Sequence, residues 1–412
     1  MSPAEYTTLT AENFSVATKG LPWRARTVLR LVLGISKGVL ELTLPQGQRL
    51  RVAGKDIGPH ADVTLNNWKL PARGFAHGTV GAAESYIDGD WDSRDVASFL
   101  EFFLVNSAGG GVDMTRGQGI FAKFVQKIRH ALNSNTKSGS KRNISAHYDL
   151  GNAFYSQWLD RSMTYSSAMY GTGANDLETA QKAKYKALAD SIALTKDHHV
   201  LEIGCGWGGF AEYAAGTVGA RVTCLTISRE QHDYAVERMA KLGLSDKVTI
   251  KFQDYRDETG TYDRIASIEM FEAVGEKYWP TFFGKVRDCL KPGGAAGLQI
   301  ITINDTDFDY YRSKPDFIQR YIFPGGMLPS PLALAKVTKE FGLSLSGQVV
   351  FGQDYARTLI EWRERFNKSW PTIVPLGFDT RFKRLWDFYL YYCEAGFRSE
   401  FIDVRQLVYV KS

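Results

Sequence analysis

From Val200 to Phe210 the chain reads Val-Leu-Glu-Ile-Gly-Cys-Gly-Trp-Gly-Gly-Phe. A short apolar run contains an acid, Glu202, and is followed by glycines at alternate positions, Gly204, Gly206 and Gly208, before a segment of helical character. Strand, glycine turn and helix in this order let the backbone pass close to a nucleotide-like ligand. The spacing differs from the dinucleotide fingerprint and from the phosphate-binding P-loop. Polar groups recur after the next two predicted strands: Thr226 with Gln231, then Asp254, Tyr255 and Arg256. Tyr255 can cover a planar ring, and Asp254 can accept from an amine. A pair of carboxylates, Glu269 and Glu272, lies three residues apart. On a helical turn both would share one face, and their mutual repulsion would raise one pKa enough to make a base. The competing reading has Glu269 capping a helix or pairing with Arg264 or Lys277.

Alternating strands and helices must carry these groups. Strands are predicted at 200–203, 221–225, 248–252, 264–268 and 295–301, the last after a Lys291-Pro292-Gly293-Gly294 turn. Helices are predicted between them, for example at 229–242 and 278–290. This rhythm gives an α/β fold with a mostly parallel, doubly wound sheet and ligands at the carboxyl ends of its strands. Residues 305–412 are rich in aromatics and should add helices and closing strands over that edge.

Upstream, residues 1–106 read as a small α+β domain. It has a helix at 26–33, a hairpin of strands 39–44 and 49–52, a helix at 81–86, and another capped by Ser93 with Val96, Phe99, Leu100 and Phe103 on one face. Residues 107–141 form a linker in which Ile120, Phe121, Phe124, Val125, Ile128 and Leu132 fall on one helical face. No acidic residue occurs from Arg116 to Arg142. Two readings fit such a basic amphipathic helix: docking on an anionic lipid surface, or packing on a domain with a solvated basic face. The third segment, 142–412, carries the glycine loop.

The length of 412 residues implies more than one domain. The net charge of +5 is mild, and no nucleic-acid partner is expected. The four cysteines, Cys205, Cys224, Cys289 and Cys393, lack metal-ligand spacing, so free thiols in a reducing cytoplasm and no metal are expected. No signal-peptide layout and no apolar run of spanning length occur, which predicts a cytoplasmic protein, soluble or resting on the inner face of the membrane.

The glycine loop resembles the S-adenosylmethionine (SAM) loop of class I, Rossmann-like methyltransferases. The resemblance sharpens when further segments are added. These are Ala146-His147-Tyr148-Asp149-Leu150-Gly151-Asn152, Met163-Thr164-Tyr165-Ser166-Ser167-Ala168, Leu225 to Gln231, Gln253 to Asp257, Met270-Phe271-Glu272, Tyr321 to Ser330 and Asp354 to Leu359. Together, from about residue 141 to the end, they resemble the cyclopropane-fatty-acyl-phospholipid synthase family, which includes the mycolic acid cyclopropane synthases. The N-terminal domain is similar to the lipid-associated domain of longer bacterial members.

The resemblance implies transfer of a one-carbon unit from SAM to the double bond of an unsaturated acyl chain in phospholipid. It places SAM among Tyr165, Ser166, Glu202, Gly204, Cys205, Gly206, Trp207, Thr226, Ile227, Gln231, Asp254, Tyr255 and Arg256. An alkene is a poor nucleophile, so the site must be dry and well aligned. Its attack leaves a carbocation that aromatic faces can stabilise, with Tyr165, Phe271, Tyr310, Tyr321, Phe323 and Tyr355 as candidates. The family assigns the final deprotonation to a bound bicarbonate held by a glutamate, a histidine, a tyrosine, a cysteine and an isoleucine. Here these positions are Glu272, Gln299, Tyr355, Ser167 and Ile301, so histidine and cysteine are replaced. Ala273 stands where many relatives carry histidine, and Glu269 where they often have a small residue. Loss of a proton from the new methyl group closes a cyclopropane, whereas loss from a neighbouring chain carbon gives a methyl- or methylene-branched chain. The altered acceptor set leaves both products open. Two rivals are a small-amine N-methyltransferase and a non-enzymatic lipid-binding protein. A homodimer is expected from the family.

Overall fold

The computed structural model describes residues 6–107 and 150–411. The linker helix expected at 120–132 and the first four residues of the 146–152 motif lie outside them. The described residues divide into two compact units, one made of 6–107 with Gly377–Phe401 and the other of 150–376 with 402–411.

The first unit holds a five-stranded mixed sheet, β1 (Thr7–Thr8), β2 (Lys37–Thr43), β3 (Arg49–Ala53), β4 (Asp56–Leu65) and β5 (Trp91–Asp92), in the order β1-β3-β2-β4-β5. The expected hairpin is β2–β3, with Leu40 opposite Val52 and Leu42 opposite Leu50. All four of these side chains are buried, as their alternation demands. The helix expected at 26–33 runs Trp23–Val32. The short one expected at 81–86 is the end of Lys69–Ile87, which breaks at Gly78 (φ 57°). The helix Val96–Ser107 is capped by Asp95, not Ser93. The Asp95 carboxylate accepts from Ser98 N at 3.1 Å, while Ser93 Oγ serves Asp95 N.

The linear boundary expected at residue 142 needs a correction. The helix Thr380–Arg398 belongs to the first unit, where it buries Trp386, Phe388, Leu390 and Phe397. Phe388 meets Tyr86 with ring centroids 5.6 Å apart, and the Arg384 guanidinium lies 4.1 Å from the same tyrosine ring.

The second unit is built on a seven-stranded sheet. Its strands are β6 (His199–Ile203), β7 (Arg221–Thr226), β8 (Val248–Phe252), β9 (Tyr262–Ile268), β10 (Leu290–Ile303), β11 (Leu343–Val350) and β12 (Ile402–Lys411), in the order β11-β12-β10-β9-β6-β7-β8. The five strands from β10 to β8 are parallel, and β12 runs antiparallel between β10 and β11. This is the expected doubly wound α/β sheet. Residues 291–294, expected as a turn, lie within β10 as an irregularity in its pairing with β9 between Leu290 and Ala295. One apolar cluster, including Phe271, Phe282, Phe283, Leu298 and Leu407, packs against the sheet beside Trp279–Cys289. A second, including Leu188, Val200, Phe210 and Val222, packs beside Leu177–Ser191.

Candidate active site

The β6 strand ends at Ile203, and the turn beyond it places Gly204, Gly206 and Gly208 at φ 81°, 53° and 85°. Only glycine takes such values without strain. Gly204 N and Cys205 N both donate to Leu225 O, tying the loop to the end of β7. A Cβ on Gly204 would lie 2.5 Å from Met270 Cγ, whereas one on Gly206 would meet nothing within 4 Å. The loop is therefore clamped on one side and open on the other, which fits a ligand approaching bare backbone. Trp207 Nε1 donates to Asn152 Oδ1 at 2.6 Å, and its ring packs 5.1 Å from Tyr155.

Several residues expected at the cofactor also bond to one another. Glu202 is 2% exposed and accepts from the Cys224 thiol opposite it on β7, and burial pushes its pKa up to about 8. It supports the loop from within the sheet. Asp254, expected to accept from a purine amine, gives both oxygens to Arg256: Oδ1 to Nε at 2.8 Å and Oδ2 to Nη2 at 2.6 Å. This bidentate, charge-assisted pair fixes the orientation of the carboxylate. Tyr255 stays half-buried beside Phe282. Thr226 donates to Gln231 Oε1 and accepts from Ser228 N, leaving the Gln231 amide nitrogen as the end for a ligand; Ile227 is half-buried between them. Ser166 is buried, its hydroxyl accepting from Lys184 Nζ at 2.6 Å and its carbonyl from Gln181 Nε2 at 2.9 Å.

The carboxylate pair is the second centre. Glu269 follows β9 directly and continues its ladder, donating its N–H to Gln299 O, but with φ 49° it is not helical. The helical turn begins only at Phe271, so the shared helical face expected for Glu269 and Glu272 does not exist. Neither does a pairing of Glu269 with Arg264 or Lys277. Its carboxylate accepts three hydrogen bonds: Ser167 N at 2.9 Å and Gln299 Nε2 at 2.8 Å on Oε1, and the Tyr355 hydroxyl at 2.6 Å on Oε2. A non-glycine residue in the left-handed region is costly, and these bonds hold it there. Glu272 is poorer in partners: Oε1 accepts from Ile301 N at 2.6 Å, and Oε2 is buried without a hydrogen-bond partner.

This asymmetry divides the charge. Burial raises both carboxyl pKa values, and that of Glu272 reaches about 8 with the charge of Glu269 adding to the effect. For Glu269 the Tyr355 hydroxyl, Lys184, Ser167 N–H and Gln299 oppose the shift, and burial lowers the pKa of Lys184 itself to about 7. A proton shared by the pair therefore resides on Glu272, and Glu269 is the anion. Ser167 contributes its backbone N–H; its hydroxyl turns to Ala168 O.

Bicarbonate does not fit this arrangement. The donors that would hold it, Tyr355 OH, Gln299 Nε2 and Ser167 N, are spent on Glu269, whose carboxylate fills the cradle. The aromatic candidates also divide. Tyr165 and Tyr355 flank Trp362, at 5.3 and 6.1 Å. Phe271 is core, packed on Trp279, Phe282 and Phe283, and Tyr310 and Tyr321 are exposed.

The family model for mycolic acid cyclopropane synthetase matches residues 135–407. The chain belongs to the mycolic acid cyclopropane synthetase family. As a family member it is a SAM-dependent methyltransferase. It is 37% identical over 345 residues to the tuberculostearic acid methyltransferase UfaA1 of Mycobacterium tuberculosis, covering 81% of this chain and 79% of the relative. It is equally 37% identical, over 351 residues, to the cyclopropane-fatty-acyl-phospholipid synthase of Escherichia coli K12, covering 85% and 87%. Among solved structures, the M. tuberculosis cyclopropane synthase MmaA2 superposes with a TM-score of 0.62 at 28% identity, over 66% of this chain and 98% of that one.

Three residues around Glu269 and Tyr355 lie outside the expected set: Lys184, Trp362 and Gln406. Lys184 had a signal, since it lies on the buried stripe Leu177, Ala180, Gln181, Lys184, Leu188 of its helix, where an ammonium is out of place. Trp362 follows Tyr355 by seven residues on Gly352–Lys368 and so shares its face. Gln406 had no local signal.

Proposed function

We propose that this chain, an enzyme transferring a one-carbon unit from SAM to an unsaturated fatty acyl chain, uses Glu269 as its proton acceptor and forms a methyl- or methylene-branched product. The observation that carries this reading is the Glu269 carboxylate seated on Tyr355 OH, Gln299 Nε2 and Ser167 N. The glycine loop, Trp207, Thr226, Ile227, Gln231 and Tyr255 hold SAM, which supplies an electrophilic methyl group. The alkene's electron pair forms the new carbon–carbon bond, the electrons of the carbon–sulfur bond leave with S-adenosylhomocysteine, and the acyl chain becomes a carbocation. Tyr165, Trp362 and Tyr355 line the site with aromatic faces suited to that charge. A carbon–hydrogen bond next to the cation then breaks, its electrons form the product double bond, and the proton passes to Glu269. Similarity to a protein named a tuberculostearic acid methyltransferase supports the branched product. Ring closure is the second reading, supported by equal identity to the E. coli cyclopropane synthase.

The acyl chain belongs to a phospholipid at an anionic membrane surface. In support, the helix Trp23–Val32 exposes Trp23 (63%), Leu31 (43%) and three arginines, Arg24, Arg26 and Arg30, with no acidic residue. Such a face suits interfacial binding. Among the described residues no helix is long and apolar enough to cross a membrane.

Lipid mass spectrometry after expression in a host containing octadecenoyl lipids tests the reaction, with a gain of one CH2 expected. Proton NMR then separates the products, since upfield ring signals would overturn the branched reading. Glu269→Gln is expected to reduce turnover by about 10²–10⁴-fold with SAM affinity retained; near-normal turnover would remove Glu269 as acceptor. Sedimentation with anionic vesicles should weaken in the triple variant R24E/R26E/R30E, and unchanged binding would remove this helix from the membrane face.

A further inference from the structure

Gln299 and Gln406 stand directly opposite each other on β10 and β12, 1% and 2% exposed. Gln406 Nε2 lies 3.1 Å from the main-chain oxygen of Lys184 and 3.1 Å from Gln299 Oε1. The Lys184 carbonyl can only accept, so the Gln406 atom facing it is the nitrogen. The Gln299 atom facing that nitrogen is then its oxygen, which turns Gln299 Nε2 toward Glu269 at 2.8 Å. One main-chain carbonyl thus orients two amides in series. Stability of the sheet does not explain Gln406, because its own Oε1 is buried without a partner, a cost that an apolar side chain would avoid.

We propose that Gln406 is a positioning residue for proton transfer, holding the Gln299 amide so that Glu269 meets an N–H donor and not a carbonyl oxygen. This rests on the reading of Glu269 as proton acceptor. The charged and titratable groups facing Glu269 are Tyr355 from Gly352–Lys368, Lys184 from Leu177–Ser191, and Glu272. None of them constrains the Gln299 amide. Without Gln406 only Glu269 itself orients that amide, so when Glu269 takes up a proton the amide can turn and accept from the carboxyl, which stabilises the neutral form and opposes ionisation.

The test is the pH dependence of kcat for the purified full-length protein on vesicles of unsaturated phospholipid. Wild type is compared with Gln406→Met, Gln299→Leu, the double variant and Glu269→Gln. Glu269 must be ionised to act, so a raised pKa moves the acid limb to higher pH. Gln406→Met is expected to move that limb up by about 0.5–1 unit and lower kcat several-fold below it. KM for SAM should stay within about twofold, since no cofactor contact changes. In the Gln299→Leu background the same change should move the limb no further. Gln406→Leu replaces Gln406→Met if the latter does not fold, as judged by thermal melting and SAM binding. An unmoved limb in a folded Gln406 variant overturns the proposal, as does an equal shift with and without Gln299. If Glu269→Gln turns over normally, the acceptor reading itself has failed. If it is inactive while the Gln406 variants match wild type, only the positioning role has failed.

Discussion

Glu269 carries a negative charge into a cradle of three donors, so its removal should leave that cradle vacant and able to take an anion. Glu269→Ala is expected to lose turnover and to recover part of it when bicarbonate is added, because the Tyr355, Gln299 and Ser167 donors remain in place. Radiolabel transfer from SAM across a bicarbonate titration measures this; a flat response would mean that the donors collapse without the carboxylate. Glu202 makes a different prediction. Its folded pKa of about 8 lies above its unfolded value, so its contribution to stability is present at low pH and is lost as pH rises through the folded value. Glu202→Gln removes that dependence while keeping an acceptor for Cys224. Between about pH 5 and pH 8 the wild-type Tm should fall relative to that of the variant. Parallel melting curves across this range would refute the assignment. At this scale the sequence identified Glu269 and Glu272 correctly as a pair but misplaced their geometry. The three-residue spacing suggests a helical turn, but at Glu269 the chain still continues the β9 ladder and the turn begins only at Phe271.

Among the elements, the glycine loop is the one whose conformation the local sequence dictates. Alternating glycines after an apolar strand have few other uses, and all three adopt left-handed φ. Gly204→Ala combines a disfavoured φ of 81° with a Cβ 2.5 Å from Met270 Cγ. It is expected to cost about 1–3 kcal/mol and to weaken SAM binding at least tenfold. Calorimetric titration with SAM checks this, and wild-type affinity would show that the loop tolerates displacement. The segment 354–359 was legible as a motif but not as a device. Asp354 accepts from Tyr170 N and Gly171 N, and Thr358 from Ala168 N, so this helix pins the loop that presents Tyr165 and Ser167. Ser93 has the residue type of a cap, but Asp95, two residues on, takes that role with a charged acceptor.

For the whole molecule, the return of Gly377–Phe401 to the first unit means that the N-terminal domain is completed by residues from near the C-terminus. Phe388→Ala should destabilise the protein by about 3–5 kcal/mol through loss of its buried packing on Tyr86. SAM affinity at low temperature should be preserved, because Phe388 lies in the unit without the glycine loop. Thermal melting beside SAM titration separates the two effects; loss of SAM binding in a folded variant would show that the units are coupled.

What the sequence by itself determined was local and ordered: the glycine loop, the strand–helix rhythm and the hairpin β2–β3. Each depends on side-chain period or backbone freedom over a few positions. Only the tertiary structure decided that Glu269 sits among the donors of Tyr355, Gln299 and Ser167, that Asp254 pairs with Arg256, and that Gln406 faces Gln299. The last pairing joins residues 107 positions apart through antiparallel register, and no short-range pattern encodes which of two amide atoms faces a third. Hydrogen-bond direction in a buried site is a property of the closed network, so it exists only once the sheet has formed.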